Sequence, residues 1–270
     1  MESYDGNYLT VYFISYFGSE QRIYATNASG EDIKEFQTTY YENTQQFLAY
    51  THSDLEGIHR IYYPIIENKE AAMYNYKFWA SSINPILFKE ALFSEPDNVF
   101  QITGREEYTD GLSLMRIERS SNTLSYVEPE NDPDSTFVSG PNLHQDSGST
   151  IVSTSDLHQK GMDFINQHKG WNDQFIYDNW KPMKNTVSFR LYYEGYPVYY
   201  ENGQSTIDIV WGDNGLYEYK RPYFKLERDL LMETAEVKLE AGDVIIENLL
   251  EKIKPDELHG LRLGYKFVQY

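Results

Sequence analysis

Apolar and polar residues alternate with a period of two through most of the chain, which predicts many short strands. We expect strands near residues 9–16, 22–25, 58–66, 73–79, 99–102, 112–117, 124–127, 187–193, 206–211, 216–219, 233–239 and 261–268. Neighbouring residues of a strand face opposite ways, so the tyrosine pairs at 62–63, 192–193 and 199–200 should each place one ring on a less buried face.

Four segments instead show the spacing of amphipathic helices. Ser29 and Asp32 form a predicted capping pair in front of a helix with a mostly apolar face from Ile33 to Phe47. Asn84 should cap a short helix with Pro85 at its first position. Further helices are expected over 155–168 and 242–253. Strand runs with single inserted helices predict an α+β fold of twisted, mainly antiparallel sheets with helices packed on them.

A polar stretch from Glu128 to Ser153 should be a loop or an interdomain linker. We therefore expect a first domain over 1–130, a linker over 131–153 and a second domain over 154–270. A chain of 270 residues is long enough for two domains that each bury a core. The most apolar runs span about ten residues, against the roughly 20 of a membrane-spanning helix, and no signal peptide is visible.

The charge balance argues against several classes of partner. The chain has 42 acidic and 23 basic residues, a formal net charge of −19. Nucleic acid, anionic membranes and anionic wall polymers are bound through an excess of Lys and Arg. The acidity either keeps the protein soluble or provides a negative face for a basic partner. The absence of cysteine excludes disulfides, thiolate metal sites and cysteine nucleophiles.

Motifs that would carry catalysis are missing from the sequence. There is no phosphate loop, dinucleotide-binding turn, Gly-x-Ser-x-Gly elbow or His-Glu-x-x-His helix. His158 and His168 share a predicted helix but lie roughly 15 Å apart along its axis, so they cannot bind one metal ion together. We interpret His168 as a favourable charge near the last helix carbonyls or as a packed ring.

Two groups of carboxylates could in principle carry chemistry. The first group is Glu106, Glu107 and Asp110, and the second is Glu128, Glu130, Asp132 and Asp134. The first could form the acid pair of a glycoside hydrolase, but a charged turn is the stronger interpretation. The second could bind calcium, but prolines interrupt its spacing, so a solvated acidic linker fits better. We predict no catalytic, cofactor-binding or metal-binding residues.

Aromatic and basic residues mix in one segment, which we predict to be a partner-binding face. Its residues are Tyr217, Tyr219, Lys220, Arg221, Tyr223, Phe224, Lys225 and Arg228. Tyrosine supplies a large contact area at a small entropic cost and is enriched at interfaces. The basic residues form a local cluster in an otherwise acidic chain.

Several motifs occur in a characteristic order. Two aromatic strand patterns over 206–223 flank Gly212-Asp213-Asn214-Gly215, which predicts a hairpin. Upstream motifs are Phe164-Ile165-Asn166-Gln167-His168-Lys169-Gly170 and the run from Arg190 to Tyr199 with Gly195 and Pro197, and further ones are Leu263-Gly264-Tyr265 and the run from Asn84 to Phe93. Together these motifs resemble those of the YycH family, most clearly after about position 155.

The resemblance implies a fold and a function. It implies the middle and C-terminal α+β domains of the family, each similar to the partner protein YycI. The family acts with YycI on the sensor histidine kinase YycG, also called WalK, of the YycFG/WalRK two-component system that controls cell-wall metabolism in Gram-positive bacteria. It is non-catalytic and extracytoplasmic, with a single-pass membrane anchor. Its transmembrane helix and first domain have no counterpart in this sequence, and the C-terminal end looks truncated.

Two other functions stay open. A binding module for a cell-wall fragment or peptide would use exposed Tyr and Trp rings as stacking platforms. A cell-wall hydrolase would need a paired acid and base, or a metal ion, in a cleft.

Overall fold

The computed structural model of the protein describes residues 8–15, 22–32, 34–35, 50–55, 59–64, 72–133, 154–181, 185–212, 215–254, 257–258 and 261–269. Its strands are β1 (Tyr8–Ser15), β2 (Arg22–Ser29), β3 (Tyr50–Leu55), β4 (His59–Pro64), β5 (Ala72–Ser82), β6 (Phe100–Gln101), β7 (Glu107–Thr109), β8 (Leu114–Glu118), β9 (Thr123–Val127), β10 (Phe175–Lys181), β11 (Thr186–Tyr193), β12 (Tyr196–Tyr199), β13 (Thr206–Trp211), β14 (Leu216–Pro222), β15 (Phe224–Lys238) and β16 (Tyr265–Lys266). Its helices are α1 (Pro85–Leu92), α2 (Thr154–Gln167) and α3 (Gly242–Leu250), with 3-10 turns at Pro96–Asn98 and Pro129–Asn131.

Ten of the described strands form one large sheet. Its order is β16-β12-β11-β13-β14-β9-β8-β7-β6, and β10 pairs with β11 beside this path. The pairings are antiparallel except for β12 with β16, which is parallel. The sheet joins strands from before and after the predicted linker, because β9 pairs with β14. The mixed content and the antiparallel sheets confirm the predicted α+β class.

Helices α1 and α2 pack on one face of this sheet, which we call the inner face. Phe88 of α1 and Ile165 of α2 are buried in one apolar cluster with Phe189 of β11. Gly161 allows the close approach of α2, because a Cβ atom at this position would lie 2.8 Å from Cγ1 of Val187. The core of the large sheet therefore lies between its inner face and these two helices.

The opposite, outer face of the sheet carries polar and charged side chains. One cross-strand row runs through Glu107, Arg116, Ser125, Lys220 and Asp208, which are paired from strand to strand. These side chains are half-buried or exposed. Nε of Arg116 donates to Oε1 of Glu107 at 2.8 Å. The strand alternation thus gives the sheet an apolar inner face and a polar outer face.

The chain divides into two compact units. The smaller contains residues 1–75 and 235–263, with the antiparallel pairs β1–β2 and β3–β4 and with α3, where Ile246 and Leu258 are buried together. The larger contains 76–234 and 264–270, with the ten-stranded sheet, α1 and α2. Strands β5 and β15 pair as a two-stranded sheet. These units have other boundaries than the predicted domains 1–130 and 154–270, and that division stays a prediction, as does the likeness to YycI.

Local signals in the sequence are confirmed where the structure describes them. Oδ2 of Asp32 accepts from the backbone nitrogen of Ser29 at 2.9 Å, and the hydroxyl of Ser29 accepts from the nitrogen of Asp32 at 3.2 Å. This is the predicted capping pair, although the helix that it begins is described only at 30–32 and 34–35. Oδ1 of Asn84 accepts from the nitrogen of Ile86 at 3.0 Å and caps α1 as predicted. Strands β13 and β14 form the predicted hairpin.

Other predicted elements differ from the observed ones. Strands β3, β7, β10 and β12 were absent from the predicted set, and β15 begins at Phe224 instead of residue 233. In β10 a bulge between Tyr177 and Asn179 interrupts the alternation of the strand. The predicted strand 261–268 has only two strand residues, at β16. None of the helices in the described ranges is long and apolar enough to cross a bilayer.

The adjacent tyrosines behave as strand geometry predicts. Tyr193 and Tyr200 are buried, whereas Tyr192 and Tyr199 are half-buried on the other side of the chain. The pair at 62–63 has side chains outside the described set.

Candidate partner-binding surface

The structure divides the eight residues of the predicted partner-binding face into a buried group and an accessible group. Tyr219 and Arg221 are 0% exposed, Tyr223 is 1% exposed and Phe224 is 3% exposed. Alternation along β14 turns Tyr219 and Arg221 towards the inner face, under α1 and α2. A partner cannot contact these four side chains. The part of the predicted face that is accessible is Tyr217, Lys220, Lys225 and Arg228.

Arg221 is a buried cation held by neutral oxygen atoms. Its Nη1 donates to the carbonyl of Gly170 at 2.7 Å, and its Nη2 donates to Oδ1 of Asn172. Its Nε donates to the carbonyl of Pro222 at 3.1 Å. The guanidinium carbon lies 5.0 Å from the ring centre of Phe88. Arg221 therefore fastens the turn after α2 to β14, which is a structural role.

His168 is a packed, neutral ring next to this arginine. Its ring lies 5.0 Å from that of Phe164, and its Nε2 lies 3.4 Å from the hydroxyl of Tyr219. Burial and the nearby charge of Arg221 lower the pKa of His168 to about 4. Of the two interpretations of His168 in the sequence, the packed ring is confirmed and the favourable helix-end charge is wrong.

Asp173 connects the same turn to the start of β15. Its Oδ2 accepts from the nitrogen of Leu226 at 3.1 Å and from Nδ2 of Asn172 at 3.0 Å. Burial raises the pKa of Asp173 to about 6, against the effects of the Leu226 hydrogen bond and of the charges of Arg228, Arg221 and Lys225. Nε of Arg228 lies 4.0 Å from Oδ1 of Asp173. The buried turn thus positions one of the accessible basic residues.

Each accessible basic residue has an acidic neighbour. Nζ of Lys220 lies 3.4 Å from Glu218 on the outer face of the sheet. Nζ of Lys225 lies 3.5 Å from Glu227 on β15. These side chains keep between 40% and 49% of their surface exposed, as does Arg228. Exposed pairs of this kind contribute about 0–1 kcal/mol each, so a partner can displace them at little cost.

The outer-face row around Lys220 was not found from the sequence. Lys220 lies between Ser125 of β9 and Asp208 of β13, and these residues are far apart along the chain. Alternation assigns a residue to a face of its own strand, but it does not say which strands are neighbours. A row of charges that crosses several strands therefore leaves no recognisable pattern in any one segment of the sequence.

A groove of about 610 Å³ runs along α2. It is lined by Gln159, Lys160, Asp163, Phe164, Gln167 and Trp211. Nζ of Lys160 lies 3.9 Å above the ring of Trp211, and burial lowers the pKa of Lys160. The indole nitrogen of Trp211 is buried without a hydrogen-bond partner among the described residues. The groove therefore offers a positive charge above an indole ring, whereas the indole nitrogen itself is not exposed to it.

The carboxylates considered for hydrolysis are engaged in structural contacts. Glu106 accepts from Nε and Nη2 of Arg119 at 2.5 and 2.6 Å, and this contact lowers the pKa of Glu106. Glu107 pairs with Arg116. Oδ1 of Asp110 accepts from the nitrogens of the next turn. Asp110 lies in a turn before Gly111, as the charged-turn interpretation predicts, whereas Glu107 is the first residue of strand β7 and Glu106 directly precedes that strand.

The second carboxylate group lies only partly in the described residues. Glu128 accepts from the hydroxyl of Tyr126 at 3.2 Å, and Asp134 lies outside the described ranges. Over the described part of the chain, no three His, Asp or Glu side chains are grouped so that they could hold a metal ion.

Comparison with known proteins gives a consistent picture. Residues 62–270 match the family described as YycH protein, C-terminal domain. The chain is 23% identical over 215 residues to the two-component system WalR/WalK regulatory protein YycH of Bacillus subtilis (strain 168), covering 76% of this chain and 43% of that protein. The crystal structure of YycH from Bacillus subtilis has a TM-score of 0.66 at 17% identity, covering 98% of this chain and 64% of that one. The chain spans less than two thirds of either relative, and it belongs to the family of the YycH C-terminal domain.

Proposed function

We propose that this chain is part of a non-catalytic, extracytoplasmic regulator of the WalR/WalK two-component system. The observation that carries the proposal is the family match over 62–270, together with the regulatory name of the Bacillus subtilis relative. The carboxylates nearest to an acid pair are engaged with Arg119, Arg116 and a turn, which supports a role without hydrolysis. The full-length protein would be held at the membrane by a single anchor.

The proposed mechanism is contact between folded surfaces. The regulator would bind YycI and, with it, shift the conformational equilibrium of the sensor kinase YycG/WalK that controls cell-wall metabolism. A regulator changes such an equilibrium only as far as it binds one kinase conformation better than the other.

The proposed contact residues are the accessible members of the predicted face, Tyr217, Lys220, Lys225 and Arg228. Their ion pairs are exposed and weak, so acidic groups of a partner could replace Glu218 and Glu227. The buried members Tyr219, Arg221, Tyr223 and Phe224 would hold these strands in place.

A calorimetric titration of this chain with the YycI ectodomain of the same organism tests the partnership. We expect saturable binding that weakens about tenfold or more in Lys225→Glu and Arg228→Glu, which corresponds to about 1.4 kcal/mol. Lys252→Glu makes the same charge change at an exposed residue after α3 and should bind as the natural chain does. Equal weakening by all three changes would reject the contact residues, and absence of binding at high micromolar concentration would reject the partnership.

A second candidate function is a binding module for a cell-wall fragment or peptide. The observation that favours it is the groove along α2, which is lined by Trp211, Lys160 and polar side chains. Titration with soluble wall fragments should then change tryptophan fluorescence, and Trp211→Phe should abolish the change. A signal unaltered by Trp211→Phe would remove this candidate.

A further inference from the structure

Asp173 places a nearly buried carboxylate beside one of the proposed contact residues. Its side chain is 2% exposed, whereas that of Arg228 is 40% exposed, and Nε of Arg228 lies 4.0 Å from its Oδ1. Its other oxygen, Oδ2, accepts from the backbone nitrogen of Leu226 at 3.1 Å. Leu226 and Arg228 lie two residues apart on β15, so their side chains share one side of the strand. A single buried carboxylate therefore contacts both the backbone of β15 and an exposed cation on it.

An aromatic ring holds Arg228 from a second direction. The guanidinium carbon lies 5.1 Å from the ring centre of Tyr193, which is 7% exposed. A cation over a ring face is attracted by the ring as long as the tyrosine stays neutral. Burial and the nearby charge of Glu194 raise the pKa of Tyr193, so the ring is neutral at neutral and acidic pH. Of these two groups that hold Arg228, Asp173 is therefore the one that can change its charge in mildly acidic solution.

The other charged groups around Asp173 are cations that keep their charge in mildly acidic solution. They are Arg221 of β14 and Lys225 and Arg228 of β15, and each of them favours the ionised carboxylate. His168, directly after α2, is kept neutral because burial and the charge of Arg221 lower its pKa to about 4. The loss of hydration outweighs the three cations, so the pKa of Asp173 is raised to about 6. Lowering the pH through about 6 therefore changes the charge of Asp173 and leaves that of its neighbours as it is.

We propose that Asp173 is an acid-sensitive control of the partner-binding surface, which releases Arg228 when its carboxyl gains a proton and so strengthens the binding of an acidic partner. The inference rests on the proposed function, in which Lys225 and Arg228 contact the partner. At neutral pH, the carboxylate of Asp173 competes with acidic groups of the partner for the charge of Arg228. After protonation this competition ends, and the surface carries one more net positive charge.

The geometry sets the size of the expected effect. Arg228 is partly exposed and its contact with Asp173 is long, so the pair has the strength of an exposed ion pair. Losing such a competitor should strengthen binding about fivefold. A neutral carboxyl still accepts from the backbone nitrogen of Leu226 through its carbonyl oxygen, so β15 keeps its place. The change is therefore confined to the surface around Arg228.

Nuclear magnetic resonance of the arginine side chains tests the release of Arg228 without a partner. In the nitrogen-15 labelled chain, the Nε signal of Arg228, identified by its loss in Arg228→Lys, should shift with a midpoint at about pH 6. The shift should vanish in Asp173→Asn, which keeps the size of the side chain and removes its titration. Arg119 is the control, because its partner Glu106 has a lowered pKa, and its Nε signal should stay constant over the same range. An Arg228 signal that does not move near this midpoint would overturn the proposal.

Binding at two pH values then tests the effect on the partner. The natural chain should bind the YycI ectodomain about fivefold more tightly at about pH 5 than at about pH 7.5. Asp173→Asn should lack this increase, whereas Asp97→Asn, the same change at an exposed turn, should retain it. Titration of the partner's own groups acts equally on all three chains, so the comparison isolates Asp173. An increase of the same size in Asp173→Asn would contradict the inference and leave the partnership standing, whereas absence of binding at both pH values would reject the partnership and the inference with it.

Discussion

The structural role of Arg221 can be tested sharply, because Lys220, its neighbour on the same strand, serves as a control. Arg221→Ala removes the partner of the Gly170 carbonyl and of Asn172, and it leaves a void beside Phe88. Each buried polar group left without its partner costs about 1–3 kcal/mol. A large-to-small change in a core adds about 2 kcal/mol or more. We therefore expect Arg221→Ala to lower the free energy of unfolding by about 4 kcal/mol or more.

Urea unfolding followed by circular dichroism measures this loss. Arg221→Met fills most of the void but restores no hydrogen bond, so its loss should be about 2 kcal/mol. Lys220→Ala changes the adjacent residue on the outer face and should stay within about 0.5 kcal/mol of the natural chain. If Arg221→Ala were as stable as Lys220→Ala, the buried network would not hold the turn after α2 to β14. In that case, any loss of partner binding in an Arg221 variant could not be explained by unfolding.

Three further predictions concern the same core. The pKa of His168 is lowered from 6.5 to about 4, so its stabilising contribution is complete above pH 6.5 and is lost as the pH falls towards 4. Between these pH values, urea titrations should show that the His168→Phe variant loses about 3 kcal/mol less stability than the natural chain does. The pKa of Asp173 is raised from 3.8 to about 6, so its contribution to stability is present below pH 3.8 and is lost as the pH rises through 6. Asp173→Asn should therefore remove a decline of about 3 kcal/mol in the free energy of unfolding over this range. A pH profile of stability unchanged by Asp173→Asn would contradict the burial of this carboxyl. Gly161→Ala should lower the melting temperature and cost about 1–3 kcal/mol of stability, because the new Cβ would lie 2.8 Å from Val187. This loss is expected although alanine is a better helix former than glycine. Asp163→Ala, on the exposed side of α2, should cause no such loss.

Local features of the fold could be predicted from the sequence because their causes lie within a few residues. The side chain of Asn84 caps α1 by accepting from the backbone nitrogen of Ile86, two residues later. The alternation over 206–211 predicts a strand with the same bounds as β13. Strand β10 was missed because Asp178 and Asn179 end its aromatic pattern at the bulge. A bulge is stable there because β11 supplies the pairing, and β11 comes later in the chain.

The candidate site was harder to predict because burial is decided by distant partners. Arginine is mostly exposed in proteins, so Arg221 among tyrosines and lysines has the pattern of a surface. Its carbonyl and amide partners, Gly170 and Asn172, lie 51 and 49 residues earlier. Strand alternation does separate Arg221 from Lys220, but only the position of α1 and α2 shows which side is the core.

Kinase activity in a reconstituted membrane tests the central proposal most directly. WalK from the same organism, in vesicles with YycI, would be assayed for autophosphorylation as this chain is added. We predict a saturable change of about fivefold or more in the rate, as expected for a coupling free energy of about 1 kcal/mol. The change should shrink in Arg228→Glu and persist in Lys252→Glu. A rate unaffected at saturating concentration of the chain would contradict its proposed role as a regulator.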